Sequence, residues 1–329
     1  MTFRICTIGC GAMATNGHGP SYRKYADLHE GVELAACCDL DADKAEQFRQ
    51  TFGFARSYTD MDAMLDAERP DAVCLIAPVH LTAELAVRVL AQGYPLLLEK
   101  PPGLTRAETM RILEAAEAKR VPNMVAFNRR HMPLVTKAGE ILRGMDAIQH
   151  IRLNFTRVGR MDPDFSTTAV HGIDTVRFLA GSDYKIIRFR YQQAAASDPR
   201  VVNIFMDCEM VNGITAQLNF CPVTGLAAER LTVHAWDQTL LLHLPYWHSM
   251  DKSGRLTHLH RNQVRFEMDG AELEGGGEEF GANGFYHENK AFFDAVRAGR
   301  HPADDLKSTL QTVEIMECVR ERVPEYKNA

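Results

Sequence analysis

The stretch Leu96-Leu97-Leu98-Glu99-Lys100-Pro101-Pro102 constrains this chain more than any other. Three consecutive leucines read as a strand buried on both faces, the kind found inside a parallel sheet. Two prolines forbid its continuation, and a residue before proline is pushed away from helical geometry. The stretch therefore sets an ammonium, beside a carboxylate, at the carboxyl edge of a buried sheet, where open parallel sheets place their ligands. Taken alone it fits equally well a strand that ends in a solvated loop with an ordinary surface lysine.

The residues before it decide for the first reading. Phe3 to Ile8 form a strand that runs into Gly9-Cys10-Gly11-Ala12-Met13-Ala14, a G-x-G-x-x-A turn. Gly9 makes the tight turn, Gly11 admits a pyrophosphate close to the backbone, and Ala14 lets the next helix pack near the strand. That helix extends to about Leu28, with Gly17-His18-Gly19-Pro20 making its early part irregular. Val32 to Cys38 form a second strand ending on Asp39, about 25 residues past the turn, where a carboxylate grips ribose hydroxyls. The alternative for Asp39 is a helix N-cap for residues 42–51. An acid there repels a 2′-phosphate and no arginine follows it directly, so NAD is favoured over NADP.

The alternation continues. Strands are expected at 54–58, 71–77 (cut by Pro78), 96–99 and 124–127, with helices at 60–67, 81–92 and from the capping box Thr105-Arg106-Ala107-Glu108 to Pro122. This is a doubly wound α/β domain over residues 1–125. Strand-like runs then follow at 148–158, 185–193, 201–208, 214–220 and 230–244, most without intervening helices. Residues 126–329 thus read as an α+β domain with a large, mostly antiparallel open sheet. Helices are expected at 133–143, 168–180, 284–298 and 304–323, with a glycine-rich loop at 274–278.

A chain of 329 residues accommodates about two such domains. Its formal charge of −6, without blocks of like charge, excludes a nucleic-acid footprint and argues against a membrane surface. No apolar run approaches the ~20 residues that span a bilayer. The short apolar start is broken by Thr7, Gly9 and Gly11, so a first strand explains it better than a signal peptide. Eight cysteines without Cys-x-x-Cys spacing point to a reducing cytoplasm, with neither a disulfide framework nor a zinc site.

Several later residues carry chemistry. His171 and Asp174 share a helix face, as a functional pair or as a satisfied core histidine with its partner or a capping acid. Phe127-Asn128-Arg129-Arg130-His131-Met132-Pro133 follows the last strand of the first sheet and brings two guanidinium groups to its carboxyl edge, unless these are exposed surface arginines. His243, His248, His258, His260 and His287 lack the fixed spacing of a metal site. Tyr246-Trp247-His248 is either a sugar-stacking platform or part of a core or subunit interface.

In order, these motifs resemble the glucose–fructose oxidoreductase/inositol dehydrogenase (Gfo/Idh/MocA) family. The glycine turn, the acid closing the second strand, Glu-Lys-Pro, Arg-x-x-Pro and His-x-x-Asp all match. So does the closing segment, where Tyr286, Glu288-Asn289 and Phe292-Phe293 precede the helix from Asp304. The resemblance implies a Rossmann domain, a second domain whose open sheet forms homodimer or homotetramer contacts, and nicotinamide-dependent chemistry on a sugar, cyclitol or related hydroxy compound. Carried over by position, it puts Gly9, Gly11, Ala12, Met13, Asp39, Ala77, Pro78, His80, Glu99 and Lys100 at the cofactor. Lys100 becomes the general acid/base and His171 its helper. Asn128, Arg129 (or Arg130), Thr167 and His171 join Lys100 around the substrate.

Two positions depart from the family pattern. Thr167, followed by Thr168, stands where many members carry an acid four residues before the histidine, which leaves the proton path to Lys100 and His171 or brings in Asp162 or Asp164. Val79 and Thr82 occupy places often held by asparagine and histidine, with His80 between them. The missing acid motivates a second reading, a cofactor-binding sensor without turnover, and a third is a redox-neutral NAD-dependent elimination or glycoside cleavage.

Overall fold

The apolar runs of the first third pair as parallel strands in the computed structural model, which describes residues 2–145, 148–247, 249–275 and 277–328. β1 (Phe3–Ile8), β2 (Val32–Cys38), β3 (Arg56–Tyr58), β4 (Ala72–Leu75), β5 (Leu96–Glu99) and β6 (Asn123–Ala126) form one sheet in the order β3-β2-β1-β4-β5-β6. Ile5, Cys6, Val73, Leu75 and Leu96 to Leu98 are fully buried, as strands covered on both faces require. The order reverses between β1 and β4, so the crevice at the carboxyl ends of these two strands is the switch point.

The crossovers are α1 (Gly19–Leu28), α2 (Ala42–Phe52), α3 (Met61–Glu68), α4 (Val79–Ala91) and α5 (Arg106–Lys119). Each of three starts has a side-chain cap. Asp41 accepts from the N–H groups of Asp43 and Lys44, Asp60 from Ala63 and Thr105 from Glu108. The cap of α2 is therefore Asp41, which leaves Asp39 free of that task. Ahead of α1 the chain makes a π-helical turn over Ala14–His18, the irregularity expected from Gly17-His18-Gly19-Pro20.

The second body begins after a 3₁₀ turn at Asn128–His131 with α6 (Pro133–Arg143), β7 (Ile148–Thr156) and α7 (Ser166–Ala180). There follow β8 (Tyr184–Ala195), β9 (Asp198–Met210), β10 (Thr215–Cys221), β11 (Ala228–Ala235), β12 (Gln238–His243), β13 (Arg255–His260) and β14 (Gln263–Asp269). Short helices α8 (Gly270–Glu274) and α9 (Glu279–Ala282), then α10 (Phe285–Arg297), α11 (Leu306–Glu321) and β15 (Glu325–Lys327) complete the chain. The nine-stranded sheet runs β14-β13-β12-β11-β7-β10-β9-β8-β15, with only β7 and β10 parallel neighbours. α7 lies on it because residue 172 is glycine. A Cβ there would stand 2.5 Å from Leu153 and 2.7 Å from Phe220.

Two differences from the sequence expectation stand out. The run 230–244 is a hairpin, β11 and β12, turning at Trp236-Asp237. The strands β13 and β14 add to it through Arg261-Asn262, both at positive φ. By contacts, the chain divides into Met1–Asn128 with Phe285–Val313, and Arg129–Gly284 with Glu314–Ala329. The segment 285–313, expected with the second domain, thus returns to the first. Asn123 fixes the return, since its Oδ1 accepts from the Leu306 N–H at 2.9 Å.

Candidate cofactor and catalytic sites

Gly9 follows β1 at φ +96°, a conformation L side chains avoid. A Cβ there would also lie 2.0 Å from the Ile76 carbonyl oxygen at the end of β4. The turn is pinned from the other side by β2. Gly9 N–H donates to the Cys38 carbonyl at 2.7 Å, and Cys10 N–H donates to Asp39 Oδ2 at 2.8 Å. Asp39 Oδ1 accepts from Asp41 N–H at 3.0 Å. The carboxylate is thus held in one orientation by two backbone donors. Above Gly11, by contrast, a Cβ would meet nothing within 4 Å, the open space a pyrophosphate needs.

Gly9, Gly11, Cys38, Asp39 and Ile76 line a cleft of about 500 Å³ together with Leu40, Ala77 and Pro78. Its walls are mostly apolar, suited to a flat base, and Asp39 stands where ribose hydroxyls would donate. Lys44 and Arg88 also reach the cleft, which the sequence did not signal because Arg88 comes from α4. Both are paired, Lys44 with Asp41 at 3.3 Å and Arg88 with Asp62. The residues fit an NAD molecule. Ala12 and Met13 are exposed at the start of the helical segment, and His80 is exposed in the first turn of α4. Thr82 is buried and spends its hydroxyl on the carbonyls of Ala77 and Pro78.

Lys100 follows β5, half-buried, in a cis peptide with Pro101. Glu99 beneath it is buried and uses both oxygens. Oε2 accepts from the Lys100 N–H at 2.9 Å, and Oε1 meets His18 Nε2 at 3.0 Å. Burial alone raises this carboxyl, but the His18 N–H and the Lys100 ammonium outweigh it and hold Glu99 below the usual range. His18 itself is fully buried and had no role in the sequence reading beyond an irregular helix start.

In the second unit, α7 carries Thr167 and His171 four apart on one face, both half-buried. Asp174 takes the fork of Arg130, with Nε–Oδ2 at 2.7 Å and Nη2–Oδ1 at 2.6 Å. Arg129 is taken in the same way by Glu229, at 2.6 and 2.5 Å. Glu229 also receives Arg157, whose guanidinium lies between the rings of Phe155 and Tyr246 at 4.0 and 3.9 Å. Both arginines of the 129–130 pair are thus buried in carboxylate forks rather than exposed. Glu229 escaped the sequence reading because one acid in a strand gives no periodic signal. Asn128, at the end of the first unit, is buried too.

The acids weighed as stand-ins for the family's missing carboxylate are locally engaged. Asp162 pairs with Arg160 at 2.6 Å, and Asp164 accepts from the Ser166 N–H at the start of α7. His258 and His260 bond along the sheet to Gln238 and Arg265, and His243 lies 3.5 Å from Asp251 in the turn after β12. Among the described residues no cluster of three or more His, Cys, Asp or Glu is placed to hold a metal. Tyr246 gives a face to Arg157, while His248 lies outside the described residues.

Residues 3–127 match the Gfo/Idh/MocA family model, described as an oxidoreductase family with an NAD-binding Rossmann fold. Over these residues the chain is similar to the NAD-binding domain of the Gfo/Idh/MocA family. It is 36% identical over 144 residues to a D-apiose dehydrogenase of Paraburkholderia graminis, covering 43% of this chain and 36% of that protein. The aligned region thus spans about a third of that relative. An inositol 2-dehydrogenase of Salmonella paratyphi B is 26% identical over 258 residues, covering 68% of this chain and 72% of the other. Among solved structures, an oxidoreductase from Agrobacterium radiobacter in complex with NAD+, L-tartaric acid and magnesium superposes with a TM-score of 0.82 at 16% identity. It covers 99% of this chain and 98% of its own. That likeness is one of fold, and it extends over both units of the chain.

Proposed function

We propose that the protein is an NAD-dependent dehydrogenase or reductase acting on a CH–OH group of a sugar, cyclitol or related polyol, with Lys100 as general acid/base. The observation that carries this reading is Lys100 at the carboxyl end of β5, on the sheet edge that also bears Gly9 and Asp39. The dehydrogenase relatives, named for an apiose and an inositol, support the substrate class. NAD, when bound, accepts or returns the hydride. Lys100 takes the hydroxyl proton during oxidation and returns it during reduction. His171 on α7, a residue type that titrates in the working range, binds the substrate or relays that proton. Thr167 offers it a hydroxyl but no charge.

The test is nicotinamide absorbance with NAD or NADP across a panel of polyols, aldoses, cyclitols and sugar acids. Lys100→Ala should lower turnover by about 10²–10⁴-fold, with NAD binding retained. Unchanged turnover in that variant would remove Lys100 from the mechanism. Product formation without net nicotinamide reduction would replace this reading by redox-neutral chemistry, and NAD binding without any product would replace it by a sensor. The same reading carries a cytoplasmic homodimer or homotetramer joined through the open face of the nine-stranded sheet. All eight cysteines are free and no described helix is long and apolar enough to cross a membrane. A monomer mass in light scattering would overturn the oligomer.

A further inference from the structure

The π turn at Ala14–His18 lies between the glycine turn and α1, and it ends on a histidine with no solvent exposure. Such turns are rare and cluster at functional sites. Here the flanking glycines are a steric requirement. A Cβ on Gly17 would stand 2.7 Å from the Phe285 ring, and one on Gly19 would stand 2.5 Å from Phe52. The chain thus accepts two helix-weakening residues so that His18 can enter the interior.

What His18 meets there is specific. Asn289 of α10 donates through Nδ2 to the Phe285 carbonyl at 2.6 Å, which marks that atom as the amide nitrogen. The same nitrogen lies 3.1 Å from His18 Nδ1 and donates to it. Asn289 Oδ1 stands farther from Nδ1, at 3.4 Å, so the imidazole proton is assigned to Nε2, aimed at Glu99 Oε1 3.0 Å away. Phe285 packs edge-on against the ring at 5.2 Å. Asn289, part of the closing motif of the sequence, thus fixes the tautomer, and the histidine fixes the carboxylate under Lys100.

We propose that His18 is a positioning residue for Lys100, keeping Glu99 anionic and oriented so that the lysine's charge and direction are set by the turn that follows the cofactor loop. The inference rests on the reading of Lys100 as the acid/base. A buried carboxylate needs donors to stay charged. Glu99 has one from its own strand end, the Lys100 N–H, and one from elsewhere in the fold, His18. Among the described residues the groups that act on Glu99 are His18 and Lys100, and Tyr22 of α1 lies 6.0 Å from the His18 ring. α10 contributes the neutral Asn289, and its buried Glu288 acts on Tyr22 and Cys74. Without the His18 donor, one Glu99 oxygen is left buried and unmatched, the carboxyl favours its protonated form, and the lysine loses the negative charge of Glu99. An ammonium without that charge gives up its proton at lower pH.

Competitive acetylation of Lys100 across pH, read by mass spectrometry on the folded full chain, measures this without turnover. His18→Leu and Glu99→Gln should each move the labelling midpoint of Lys100 down by about one pH unit. The double variant should add nothing further, and His18→Gln, which keeps an N–H donor, should label as the wild type does. Thermal melting identifies folded variants. If His18→Leu does not fold, His18→Asn, whose amide stops short of Glu99, takes its place. A folded His18 variant lacking the donor but labelling with the wild-type midpoint overturns the proposal, since a packing role would alter melting and leave the midpoint in place. Failure of the acid/base reading is separate. It appears as turnover surviving Lys100→Ala, whereas failure here appears as an unmoved labelling curve.

Discussion

Asp39 illustrates how neighbours narrow what one residue can do. As a type it suits a helix cap or a ribose ligand equally well, but Asp41 caps α2, and Asp39 is tied to the glycine turn through the Cys10 N–H. Its charge faces the same cleft as Lys44 and Arg88. Replacing it therefore does two things at once. Asp39→Ser removes a charged acceptor from the ribose site and the repulsion against a 2′-phosphate, while two cations remain in the wall. A hydrogen bond to a charged group contributes about 1.5–3 kcal/mol, so NAD affinity should fall about 10- to 100-fold. NADP affinity should fall less or rise. Titration calorimetry with both cofactors reads the ratio, and an NAD affinity equal to wild type would show that Asp39 does not contact the ribose.

At the scale of elements, legibility followed the strength of the local signal. β1, β2 and β5 were readable because continuous apolar runs ending in glycine, aspartate or proline leave little else for the chain to do. Capping also reads locally, and Thr105 starts α5 as its box predicts. The pair β13 and β14 was not readable. Its residues alternate with histidine, arginine and threonine, most of them partly or largely exposed, and its turn uses Arg261-Asn262 at positive φ instead of a glycine. The charged residues divide in the same way. Lys100 was visible because prolines frame it. His18 was not, because its meaning depends on Glu99, 81 residues away, and Asn289, 271 residues away. Nor was Glu229, whose partners Arg129 and Arg157 come from a 3₁₀ turn and a strand end. Sequence periodicity reports which face is buried, and it is silent on which buried charges find each other.

At the scale of the whole molecule, each compact unit holds a buried glutamate whose charge is kept by cations or donors. Glu99 serves the first and Glu229 the second. For Glu229, burial raises the carboxyl, but the charges and N–H groups of Arg129 and Arg157 outweigh it and hold it low. Both folded-state values lie below the ordinary glutamate value of 4.5. A depressed carboxyl stabilises the fold fully above its unfolded value, and that contribution is lost as pH falls through the folded one. Acid sensitivity is therefore expected below about pH 4.5, not near neutrality. Glu229→Gln isolates the second unit's share, because it leaves two buried guanidinium groups facing a neutral amide. Breaking a buried pair costs about 3–5 kcal/mol, and denaturant midpoints at pH 7 should show a loss of that order. The gap between wild type and variant should then narrow as pH falls below 4.5, where the wild-type carboxyl is itself being neutralised. A gap that stays constant down to pH 3 would mean that the shape of the glutamate, rather than its charge, holds Arg129 and Arg157 in place.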